Sequence, residues 1–152
     1  MRELRDGDRG TTTLEFALLL PILVLLVVGF VDIARALNAY IIVGGASQEG
    51  ARYAIVNPTA APSAIASAAR TRAHPLDTAA LAINAEYYDN AAATFRPWPS
   101  AGIPASSPSM TGVLVRVSAS YPWSAVSAVA GTFFSGSGSA TLTSRSLMET
   151  RR

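Results

Sequence analysis

The chain has 152 residues, half of them apolar and only 14% charged, and carries a formal net charge of +2. That length suits one small domain plus an anchor, and the charge content falls well short of the roughly one quarter usual in soluble domains. With no cysteine there are no disulfides, thiolate metal sites or thiol nucleophiles. All twelve basic residues are arginine, and the largest cluster is Arg151-Arg152, so nucleic-acid binding has no electrostatic footprint.

Residues 1–10 are polar, with Arg2, Arg5 and Arg9 offset by Glu3, Asp6 and Asp8. So short a stretch is expected to be disordered in isolation. Residues 16–31 then carry no charge, and Glu15 stands at their head. Residues 11–31 match the ~20 apolar residues that cross a bilayer core. No breaker interrupts the helical pattern before Asn57-Pro58, where the residue ahead of proline disfavours the α region. The pattern predicts one helix over 11–56, kinked near its start by Pro21. At 1.5 Å per residue it would be about 65 Å long. A bilayer core is ~30 Å thick, so its second half must stand outside the hydrocarbon.

That second half is rich in small residues. Gly44, Ser47, Ala51 and Ala54 form one row, and Ala46, Gly50 and Ala54 another. Such rows admit a close neighbour. The choice lies between another helix in a filament and the chain's own C-terminal sheet, and the sheet is the favoured occupant. Asp32 with Arg35, and Glu49 with Arg52, lie three apart and read as weak intrahelical pairs.

Pro62-Ser63 opens a second, Ala-rich helix over 64–73, with Arg70 and Arg72 in its last turn and Pro75 beyond it. His74, the only histidine, reads as a helix-end or surface residue. Leu81, Ile83, Ala85 and Tyr87 alternate with more polar neighbours, the period of a half-buried strand. Val113, Val115, Val117, Ala119 and Tyr121 repeat that pattern more strongly. Residues 142–148 form a third, Thr/Ser-rich candidate. The loops between are Pro-rich at 90–112 and Ser/Gly-only at 135–139. The first is long for a compact domain. Phe95 and Trp98 within it are expected to tuck back onto the sheet, the alternative being contact with a partner.

Nothing in the chain marks a catalyst. One histidine excludes HExxH, and the absence of lysine excludes SxxK and the phosphate-binding P-loop. Ser137 is flanked directly by glycines, which is not the GxSxG spacing. Asp77, Glu86 and Asp89 show no ligand spacing and are read as solvated. The chain is expected not to be an enzyme, with no cofactor, no metal and no small-molecule substrate.

Glu15 decides how the N-terminus is read. A carboxylate costs roughly 2.5–3.5 kcal/mol at a membrane-helix centre, and less near the interface. A secretory signal would need a positive leader and a cleavage site after its apolar core, yet the leader is nearly neutral and Asp32 and Arg35 follow the run. A plain signal anchor accounts for the apolar run and leaves Glu15 and Gly10 without a role. A prepilin-type signal gives both a role. A membrane aspartyl peptidase would cut after the small residue Gly10. Thr11 would become the new N-terminus, and Glu15 the fifth residue of the mature chain. Its carboxylate and the Thr11 amine would then compensate one another, within a chain or between neighbours.

Residues 9–55 resemble the TadE-like family of the tight-adherence (Tad/Flp) pilus system. The resemblance rests on Gly10, Glu15-Phe16, the early Pro21, Asp32-Ile33-Ala34-Arg35 and Glu49-Gly50-Ala51-Arg52-Tyr53-Ala54, in that order. It implies a minor pilin or pseudopilin made as a precursor and processed at Gly10, Thr11, Glu15 and Phe16, with the cut between the first two. Its implied partners are the prepilin peptidase, other pilins and pilus assembly proteins, and the bacterial inner membrane, crossed once with the C-terminus outside the cytoplasm. A signal-anchored protein whose outer domain binds a ligand or the cell wall is the alternative. The expected fold is α+β: a leader over 1–10, a long helix over 11–56 that is transmembrane in its first half, and a head over 57–152. In that head an antiparallel sheet of about three strands packs on the helix, with one short extra helix.

Overall fold

The computed structural model describes residues 4–103, 112–127 and 139–150. Most of the expected loop at 135–139, and the 104–111 part of the expected loop at 90–112, lie outside the described residues. The elements run α1 (Leu4–Val56), α2 (Pro62–Arg72), β1 (Ala82–Asp89), β2 (Thr94–Pro97), β3 (Leu114–Ser124) and β4 (Ser139–Glu149). The α+β class, the long N-terminal helix and the one short helix agree with the sequence reading.

Two details differ. The sheet has four strands where about three were expected, in the order β2-β1-β3-β4. The extra strand, β2, lies in the Pro-rich stretch read as loop. It pairs antiparallel with β1, Tyr88 opposite Phe95 and Glu86 opposite Pro97. Pro97 is tolerated because β2 is an edge strand, where a missing amide donor breaks no ladder on its open side. The second difference is that α1 begins at Leu4, where the sequence pattern starts the helix at residue 11. Once a helix is nucleated, extending it by a residue costs far less than starting one.

The chain divides into two compact units, Met1–Ala36 with Ser124–Ser139, and Leu37–Trp123 with Ala140–Arg152. In the second unit the period-two residues fall as expected. Leu81 and Ala85 of the β1 segment and Val113, Val115, Val117 and Ala119 of the β3 segment are buried. β1 and β3 are antiparallel, with Ala85 opposite Val117. β4 alternates exposed and half-buried residues along its length.

The small-residue rows of α1 settle on the chain's own core. Ala46, Ser47, Ala51 and Ala54 are fully or almost fully buried. Ala51 and Ala54 pack with Ile65 of α2, Ala85, Trp98, Ile103, Val115 and Val117 in one cluster. Val43 and Ala46 join Ala73, Leu81 and Ala119 in a second. A side chain at Gly50 would sit 3.0 Å from Val117 Cγ1 and 3.2 Å from Ala69 Cβ. Glycine there lets α1, α2 and β3 meet. The Ser47 hydroxyl donates to the Gly44 carbonyl at 2.8 Å and lies 3.2 Å from the Ser144 hydroxyl of β4.

Trp98 also turns inward. It is 5% exposed, and its indole N–H donates to the Ala60 carbonyl at 2.9 Å. Gly102 carries φ +74° and lies against the Thr59 backbone, so closely that a Cβ there would collide with it. The Ile103 amide donates to the Pro58 carbonyl at 2.7 Å. The loop after β2 is thereby held on the α1–α2 connection. Phe95 packs edge-on against Tyr88, ring centroids 5.2 Å apart, and beneath the Arg116 guanidinium at 3.8 Å.

Candidate functional site

The first unit holds the residues on which the sequence reading turns. Its helical part presents the apolar run bare: Phe16 is 65% and Leu18 72% exposed, and leucines, valines and isoleucines from 19 to 31 are exposed around every side of the helix. Exposed apolar area on this scale marks contact with a membrane or a protein. The helix is long and apolar enough to cross a membrane, and an all-round apolar surface is that of a helix meant for a non-aqueous environment.

Gly10, Thr11, Glu15 and Phe16 all lie within α1. Thr11 and Glu15 are four apart, which brings them to one face of the helix with Cβ atoms ~5–6 Å apart. The Gly10–Thr11 bond is helical here, so a protease that takes extended substrate must first unwind this turn. Gly7 and Gly10 lower the barrier, because each costs a helix ~1 kcal/mol relative to alanine.

At the other end of the run stands Asp32, 1% exposed. The expected pair with Arg35 is present at 3.3 Å, but it is the lesser of the contacts. The Val126 amide donates to Asp32 Oδ1 at 3.1 Å. The Ser127 amide donates to Oδ2 at 2.8 Å, and the Ser127 hydroxyl to the same oxygen at 2.6 Å. Charge-assisted bonds of this length are the strong kind. The sequence offers no local sign of them, since Ser127 lies 95 residues away. A global sign was there: a carboxylate ending an apolar run needs partners.

In the second unit two of the acids read as solvated are engaged in ion pairs, whereas Asp77 is exposed as expected. Glu86 takes a 2.6 Å ion pair from Arg116, and Asp89 a 2.8 Å pair from Arg96. Asp89 also accepts from the Ala91 amide at 3.0 Å, and Asp77 from the Ala79 amide at 3.0 Å. These contacts join β1 to its two neighbours and shape turns. The Glu49–Arg52 pair expected on α1 does not form: the ion pairs among the described residues are Asp32–Arg35, Asp89–Arg96 and Glu86–Arg116. Glu49 and Arg52 instead line an open groove with Gln48, Thr71, Arg72 and Met148. His74 is exposed. Among the described residues no three of His, Cys, Asp and Glu gather where they would hold a metal ion.

Residues 10–52 match the model of a protein family described as TadE-like protein. No curated protein and no solved structure matches the chain.

Proposed function

We propose that this chain, TadE-like over residues 10–52, is a prepilin-like component of a Tad/Flp-type adhesive pilus, acting as a minor pilin or in pilus assembly. The observation that carries the reading is the coincidence, inside the family match, of Gly10, Glu15-Phe16 and an apolar helix exposed on all sides. The precursor sits in the inner membrane as a single-pass protein with its C-terminal head outside the cytoplasm. The prepilin peptidase cuts between Gly10 and Thr11, and the apolar helix stays as the N-terminus of the mature protein.

Removing the leader leaves an amine at Thr11 one helical turn from the Glu15 carboxylate. In a medium of low dielectric, opposite charges at that separation attract far more strongly than in water. The pair can close within one chain or between a chain and its neighbour. The protein thus works by contact rather than catalysis: the apolar helix packs with other pilus subunits or lipid, and the head presents its outer surface to pilus partners.

N-terminal sequencing of protein extracted from the membrane tests the reading. Thr11 as the first residue is expected. An intact leader from Met1 would overturn it and leave a signal-anchored protein that never enters a filament. Glu15→Ala is expected to be processed and yet fail to assemble, as read by pilus yield in sheared fractions. Normal piliation would remove the role given to Glu15.

A further inference from the structure

We infer that the segment entering the β3–β4 connection, Ser124 to Ser127, is a second membrane contact, held in the headgroup region of the bilayer by Asp32. The inference rests on the membrane-anchored reading of α1 and adds to it. Residues 11–31 rise about 31 Å along the helix axis, the thickness of a hydrocarbon core. Asp32 is the next residue, so it marks the level at which that core ends. Its two carboxylate oxygens take the Val126 amide, the Ser127 amide and the Ser127 hydroxyl at 3.1, 2.8 and 2.6 Å. Those bonds fix the backbone of 126 and 127 at the height of Asp32, beside the helix.

What the bonds hold there suits lipid. Val126 is 76% exposed although its amide is tied down, so its side chain is presented outward. Residues 124–127 carry no charged side chain and no histidine, which spares them the cost of bringing charge to the edge of the hydrocarbon. The contact also explains Asp32 itself. A carboxylate at that level would be expensive alone. Surrounded by three donors and Arg35, it becomes the fixed point that holds residues 126 and 127. Asp32 is therefore a positioning residue, and the occupant of the Val126 surface is the acyl–headgroup boundary of the bilayer that α1 spans.

The absence of cysteine makes the test direct. Full-length chains carrying Val126→Cys, Leu25→Cys or Ala92→Cys are labelled with an environment-sensitive fluorophore. They are then reconstituted into phosphatidylcholine–phosphatidylglycerol vesicles containing lipids with a nitroxide either near the headgroup or deep in the acyl chain. Loss of emission by the shallow quencher is expected for the label at 126, by the deep quencher for the label at 25, and by neither at 92. Adding Asp32→Asn keeps one acceptor oxygen and turns the other into a donor that opposes the amide of either 126 or 127, and is expected to weaken quenching at 126 while leaving that at 25. Ser127→Ala removes only the hydroxyl donor and is expected to lower it in part. If the label at 25 is quenched and the label at 126 is not, the inference fails and the anchor stands. If neither is quenched, the anchor reading fails and takes the inference with it. Shallow quenching at 126 that survives both Asp32→Asn and Ser127→Ala would overturn the role of Asp32.

Discussion

The glycines of α1 offer a perturbation whose sign changes between two rows of a single helix. Gly50 sits where a Cβ would already stand 3.0 Å from Val117 and 3.2 Å from Ala69. Gly50→Val adds that Cβ and two methyls in a core where Val117 is fully buried. Overpacking of this kind costs about 1–3 kcal/mol. The change from glycine to a β-branched residue returns only about 0.3–0.5 kcal/mol of helix propensity, so the net loss is about 1–2 kcal/mol. At Gly44 a Cβ would meet only the Ser144 hydroxyl, at 3.8 Å, an ordinary contact. Gly44→Ala therefore keeps its propensity gain of up to ~1 kcal/mol. Each kcal/mol moves the midpoint of a unit this size by about 4–8 °C. Thermal unfolding of the full-length chain in detergent, followed by tryptophan fluorescence, should show Gly50→Val melting several degrees lower and Gly44→Ala melting slightly higher. Were the small rows reserved for a neighbouring helix, Gly50→Val would leave the isolated chain unchanged. That result, or a loss at Gly44 exceeding the loss at Gly50, would refute the packing argument.

Other substitutions probe the loop after β2. Gly102→Ala combines a positive φ with a collision against the Thr59 backbone, and should lower stability by about 2 kcal/mol or more through strain; denaturant titration gives the value. Trp98→Phe keeps a ring in the core and deletes the bond to the Ala60 carbonyl, for an expected loss of about 1–3 kcal/mol. The same titration, read by circular dichroism, checks it, and a change under a few tenths would mean that water replaces the indole at Ala60.

Much of this architecture is legible in the residues because it is local. Asn57-Pro58 stops α1, and the helix ends at Val56. Pro62 and Arg72 bound α2. Alternation from Leu81 to Tyr87 and from Val113 to Tyr121 marks the buried faces of β1 and β3. β2 escapes because four residues ending in proline carry too little pattern; their strand character comes from the β1 edge they lie on. Asp32 is half legible. Its proximity to Arg35 suggests a helical pair, whereas its strongest bonds depend on chain that returns only after the whole sheet but its last strand is built. The ion pairs of Glu86 and Asp89 escape for the same reason, since strand register decides which arginine faces which acid.

The order β2-β1-β3-β4 also ranks the strands by how long their amides keep their protons in heavy water. β3 has a strand on each side and carries Val115, Val117 and Ala119, none of them accessible. Its amides should exchange only when the whole unit opens. β2 is four residues on one edge, ending in Pro97, and its opening breaks one ladder. A deuterium-labelling experiment would therefore see the sheet lose protection first along β2, while the centre holds until global unfolding.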